Sequence, residues 1–95
     1  MASQTVQEEK KAPSFEVNFE YNGDLFPDKV NPKQKIEPAW RRALAHFGIR
    51  PGDAESQNLA LFRDGNEIDK SQTFDDAGIP ADAVLRISPR VQRAG

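Results

Sequence analysis

Few side chains in this chain are suited to chemistry. His46 is the sole histidine and cysteine is absent. Thiol catalysis, disulfides and cysteine-ligated zinc or iron–sulfur sites are therefore excluded. One imidazole leaves little for acid–base work, and no Ser-His-Asp set or Gly-x-Ser-x-Gly elbow accompanies it. His46 lies beside Phe47, off the apolar stripe of its helix, and reads as a surface group. The run Asp64-Gly65-Asn66-Glu67-Ile68-Asp69 is superficially like a calcium loop. Ile68 stands where such a loop needs a ligand, and Asp69 where it needs glycine, so the run reads as a turn. There is no glycine-rich phosphate loop. The expectation is a protein that is not an enzyme and that uses no metal or cofactor.

Composition narrows the rest. The chain has 95 residues, with 13 Lys plus Arg against 15 Asp plus Glu, a formal net charge of −2. Mild acidity argues against nucleic acid, whose partners carry a strongly basic face. No apolar run approaches the roughly 18 residues of a membrane span. The N-terminus lacks the apolar stretch of a secretory signal. A soluble, cytoplasmic monomer is expected. So short a chain buries only about 60% of its unfolded surface, which calls for a compact fold.

Three segments follow from polarity. Residues 1–13 are polar, without an aromatic, and read as a flexible arm. Residues 14–88 form the domain. Residues 89–95, Pro-Arg-Val-Gln-Arg-Ala-Gly, form a flexible tail.

The elements are legible in order. Phe15, Val17, Phe19 and Tyr21 alternate with Glu16, Asn18 and Glu20, as a half-buried strand does. Asn22-Gly23 predicts a hairpin turn. Residues 25–30 make a second strand, placed at a sheet edge because Pro27 lacks an N–H. Trp40, Ala43, Leu44 and Phe47 form one helical stripe, with Pro38 in the first turn. Gly48 and Ile49 predict a Schellman ending. Residues 53–58 read as a loop. Residues 59–63 form a strand, Asp64-Gly65 turns it, and Glu67, Ile68 and Asp69 form a short strand. Thr73 and Asp76 have capping-box spacing for a single helical turn. Residues 83–88 make the last strand, with Ala83, Leu85 and Ile87 inward and Pro89 preventing its continuation as a central strand. Each apolar face needs a cover. The outcome is an α+β fold: a mixed four- to five-stranded sheet with one helix packed across it, first and last strands parallel at the centre. This is the β-grasp architecture.

The run Leu61-Phe62-Arg63-Asp64-Gly65-Asn66-Glu67-Ile68 resembles the third strand, glycine turn and short strand of ubiquitin-like proteins. Thr73-Phe74-Asp75-Asp76-Ala77-Gly78-Ile79 resembles their helical turn, and Leu85 and Ile87 fall on inward positions of the last strand. From Leu61 to Ile87 the match needs no gap. The helix with its Gly48-Ile49-x-Pro51 ending is similar as well. The resemblance covers about three quarters of the chain at low identity. The polar arm makes it more similar to a bacterial ubiquitin-like protein than to a eukaryotic one.

The resemblance implies a protein modifier. Its C-terminal carboxylate, on Gly95, would be activated with ATP by an E1-like enzyme and transferred to amines on protein targets. An E2-like conjugating enzyme and a deconjugating protease are implied partners. Gly95 and Ala94 are small enough to thread a narrow channel, and Arg90 and Arg93 would steer the tail to an acidic surface. Residues 88–95 extended reach about 26 Å. This chain ends in Ala-Gly, where ubiquitin has two glycines.

Phe62 falls where ubiquitin has the isoleucine at the centre of its recognition patch. By alternation Ala60 and Phe62 point outward, away from Leu59 and Leu61. With Arg63, Arg86 and Ser88 they form the expected partner-binding surface. Arg63, Arg86, Arg90 and Arg93 would give that rim a basic character. Lys29, Lys33, Lys35 and Lys70 are candidate isopeptide acceptors. Two alternatives stay open: a non-conjugated interaction domain acting through the same sheet face, and a β-grasp sulfur carrier.

Overall fold

The computed structural model describes residues 14–90. Strand β1 (Phe15–Tyr21) turns through Asn22 and Gly23, both at positive φ, into strand β2 (Asp24–Val30). Seven residue pairs join the two, from Phe15↔Val30 to Tyr21↔Asp24. Helix α1 (Ile36–His46) follows, then helix α2 (Pro51–Ser56), strand β3 (Leu59–Arg63), strand β4 (Asn66–Glu67) and strand β5 (Val84–Pro89). The sheet order is β2-β1-β5-β3-β4, with β1 and β5 parallel and the other neighbours antiparallel. The expected mixed sheet with a helix packed across it is thus present, in its five-stranded form.

Helix α1 buries Ile36, Ala39, Trp40, Ala43 and Leu44 against the sheet. Lys35, at its N-cap, provides no side-chain cap. The orphan donors of the first turn go elsewhere: the Ile36 and Glu37 amides donate to the carbonyls of Gln72 and Lys70, at 2.9 and 3.0 Å. The C-terminus is the Schellman motif read from Gly48. Gly48 has φ +75°, its amide donates to Ala45 O, and that of Ile49 to Leu44 O. Thr73 Oγ1 accepts from the Asp76 amide at 2.9 Å, and Ala77 N–H donates to Thr73 O, closing the single helical turn.

The core sits between α1 and the inner sheet face. Val17, Phe19, Ile36, Leu61, Phe74 and Leu85 have no exposed surface. Asp28 stands on this inner face, opposite Val17. It is reconciled there by Arg42 of α1, whose Nε and Nη2 both donate to its Oδ2 at 3.1 and 2.9 Å.

Three boundaries differ from the sequence reading. Residues 53–58 are not a plain loop: Pro51-Gly52, which ends one helix signal, also begins α2, with Pro51 at its start, Asp53 in its first turn and Ala54 buried. Strand β4 covers Asn66 and Glu67 instead of running on to Asp69, although the Ile68 amide still donates to Leu61 O. Strand β5 covers Val84–Pro89 instead of residues 83–88, and Pro89 does keep it from continuing as a central strand. Beyond Arg86 that strand has no β1 partner, and Pro89 pairs only with Leu59, so its missing N–H leaves no gap in a central ladder.

Adjacent residues of β5 serve opposite faces. Leu85→Ala should lower the unfolding free energy by about 2–5 kcal/mol. Val84→Ala, at a site 48% exposed, should change it by less than about 0.5 kcal/mol. Denaturant unfolding of the two variants checks the assignment of faces.

Candidate functional site

The inner face is spent on the core, so the outer face is the sheet surface open to a partner. Strand register lines up one row across all five strands: Leu25, Glu20, Arg86, Phe62 and Glu67. Leu25 and Phe62 are its apolar members, and the charged Glu20 and Arg86 stand side by side between them. Arg86 Nε donates to Glu20 Oε1 at 3.2 Å, across the parallel β1–β5 pair. Beside this pair lies a shallow concavity of about 410 Å³ lined by Phe62, Asp64, Val84, Arg86, Ser88 and Pro89. Its floor is apolar through half-buried Phe62 and exposed Val84. Its rim offers a cation, a carboxylate and a hydroxyl. Such a surface has the chemistry of protein recognition, with an apolar centre inside a polar rim.

A second group of side chains ties down the end of β5. The Arg90 amide donates to the Asn58 carbonyl at 2.9 Å, extending the β5–β3 ladder by one bond. Arg90 Nε reaches both oxygens of Glu67, at 2.9 and 3.0 Å, and Nη2 reaches Oε2 at 2.6 Å. Nη1 donates to Asn58 Oδ1 at 3.0 Å. All three guanidinium nitrogens are engaged.

No protein-family model matches the sequence, and no curated protein matches it either. Solved structures do match the fold. One is a de novo designed protein based on ubiquitin, with TM-score 0.67 and 20% identity over 86% of this chain and 95% of that one. Another is a chain from the crystal structure of a pParkin–pUb–UbcH7 complex, with TM-score 0.65 and 14% identity over 81% of this chain. The present chain spans 23% of that longer one. The fold is the ubiquitin-like β-grasp.

On this ubiquitin-like sheet the expected surface residues divide. Phe62, Arg86 and Ser88 come together around the concavity. Ala60 does not contribute exposed surface. It has the outward phase expected of it but is fully buried; along β3 it lies between Asn58, which Arg90 contacts, and Phe62, which pairs with Glu67. Arg63 has the opposite phase, that of Leu59 and Leu61, and lines a separate hollow with Asn66, Asp69 and Asp76. The basic rim is not free charge either: Arg86 is matched by Glu20 and Arg90 by Glu67. Gly95, Ala94 and Arg93 lie outside the described residues.

Among the lysines, Lys29 and Lys35 are exposed, Lys33 pairs with Asp75 at 3.2 Å, and Lys70 sits 4.7 Å from the centre of the Trp40 ring. His46 is exposed at the end of α1 and stacks on Phe26, ring centroids 4.2 Å apart. No helix among the described residues is long and apolar enough to cross a membrane.

Sequence reasoning missed Val84, Glu20, Glu67 and Asn58 as parts of the site. Alternation along β5 already turned Val84 outward, and the Asp64-Gly65 hairpin already set Glu67 opposite Phe62. Glu20 and Asn58 carried no local signal, since their roles depend on the β1–β5 register and on where the chain leaves α2.

Two carboxyls titrate below their ordinary values. The guanidinium hydrogen bonds of Arg90 hold Glu67 down, and Glu67 in turn raises Arg90. Asp69 is lowered by accepting from the Ser71 hydroxyl, at 2.6 Å, and from the Ser71 amide. A carboxyl with a depressed folded-state pKa adds stability above its unfolded value and loses it as pH falls through the folded one. Carboxyl-detected NMR titration should place both midpoints below the unfolded-chain values, near 4.5 for Glu67 and 3.8 for Asp69. Ser71→Ala should raise Asp69 and leave Glu67 in place.

Proposed function

We propose that this chain is a ubiquitin-like protein modifier. Its C-terminal carboxylate, on Gly95, is activated with ATP by an E1-like enzyme and transferred to amines on protein targets. The chain is the substrate of that chemistry. The observation that carries the reading is the arrangement of β5. One strand bears the recognition concavity, through Val84, Arg86 and Ser88, and leads directly to the tail. An enzyme that grips the outer face would therefore hold the tail close to its own reacting centre, and orientation of that kind lowers a bimolecular barrier. An E2-like enzyme and a deconjugating protease would read the same face. The poverty of the chain in catalytic side chains agrees with such a role.

A second reading is supported by the concavity alone: a non-conjugated interaction domain that binds partners through Phe62, Val84 and Arg86. The sulfur-carrier reading has no structural observation behind it.

The two readings separate cleanly. With an E1-like partner and ATP, the modifier should form a Gly95-dependent adenylate and then a thioester, and the chain lacking Gly95 should form neither. A competent enzyme that makes no adduct overturns the modifier. Phe62→Ala should weaken partner binding by about 2 kcal/mol, roughly 30-fold, under either reading. Undiminished binding by that variant would remove the outer face from both.

A further inference from the structure

The end of β5 is held more elaborately than a strand end requires. Arg90 is the last described residue, and its neighbour Pro89 has no amide to donate. The Arg90 amide carries the ladder one bond past Pro89, donating to the Asn58 carbonyl. The same residue sends its side chain across the outer face. Its guanidinium takes both oxygens of Glu67 and the side-chain oxygen of Asn58. Three strand ends are thereby joined: β5 through Arg90, β3 through the residue before Leu59, and β4 through Glu67.

Three features distinguish this from an ordinary surface ion pair, which contributes little. A planar fork that engages two carboxylate oxygens and an amide oxygen has one geometry, where an ammonium would have many. The strand position between Asn58 and Phe62 is Ala60, a small residue without exposed surface. The Asn58 acceptor is itself fixed by a left-handed backbone, φ +57°, between α2 and β3.

We infer that Arg90, Glu67 and Asn58 form a clasp that fixes the end of β5 against β3 and β4. Arg90 is then a positioning residue and is not free to steer the tail toward an acidic partner, as the sequence reading expects. With the clasp closed, five residues remain to Gly95, a reach of about 17 Å. With it open, Leu59↔Pro89 is the outermost β3–β5 pair left among the described residues, and Arg90 is released. The clasp thus sets an upper limit on how far the Gly95 carboxylate can lie from the concavity. That consequence for activation rests on the modifier reading; the clasp itself does not.

The test uses the full chain labelled with 15N. Backbone relaxation is compared for the parent protein, Glu67→Ala, Glu67→Gln and Arg90→Lys. In the parent, the Arg90 amide should have the order parameter of a rigid sheet residue, about 0.85. In Glu67→Ala and Arg90→Lys it should fall below about 0.6, while Val17, Phe19 and Leu61 keep their values. Glu67→Gln retains an acceptor and should fall between. Unchanged sheet amides show that the variants fold, so a loss confined to Arg90 reports the clasp. An Arg90 amide already mobile in the parent, or equally rigid in Glu67→Ala, overturns the proposal. In an activation assay, Glu67→Ala should raise KM for the chain with kcat unchanged. Activation absent from every form, the parent included, would sink the modifier reading and leave the relaxation result standing.

Discussion

The parallel pairing of β1 with β5 is the constraint on which the rest of this molecule depends. It joins residues at opposite ends of the domain, Asn18 with Val84 and Glu20 with Arg86. Parallel neighbours cannot be connected by a tight turn, so the chain between them must travel far and cover an apolar face as it goes. Helix α1 does that. Its buried stripe lies over Val17, Phe19, Leu61 and Leu85, and its unpaired N-terminal amides are satisfied by the Lys70–Gln72 segment. The pairing also decides the outer face. It sets Glu20 beside Arg86, and β3 on the other side of β5 sets Phe62 there as well.

Among the described residues, the outer face is the sheet surface that stays open to a partner. The inner face is filled. The lone histidine is a surface ring stacked on Phe26. What the outer face holds is a modest apolar concavity whose one cation, Arg86, is already paired with Glu20. A partner binding there would meet Arg86 with its carboxylate already supplied. It would gain more from Phe62 and Val84 than from bulk attraction to a basic rim. The charge pattern thus favours shape and apolar contact as the basis of recognition.

Much of this architecture was legible in local pattern. The period-two alternation of β1, the helical stripe from Trp40 to Phe47, the Asn22-Gly23 hairpin and the Gly48 helix ending all appear where residue types put them. Each is a property of a few neighbouring residues. Helix α2 was not legible, because Pro-Gly serves equally as a stop and as a start, and only the burial of Ala54 decides between them. Ala60 was misplaced for a related reason. Alternation says which face a side chain takes, but a residue twenty or more positions away can cover it. Arg90 and Glu67 lie far along the chain and meet only when β5 and β4 flank β3.

The sequence by itself determined the types and order of the elements, the hydrophobic set that closes the core, and the absence of thiol or multi-histidine chemistry. Those follow from side-chain identity and short-range periodicity. Tertiary structure alone decided which residues share the outer face, which arginines are already neutralised, and where the last strand is held. These depend on strand register and on contacts between distant segments, and neither is written in any local stretch of the chain.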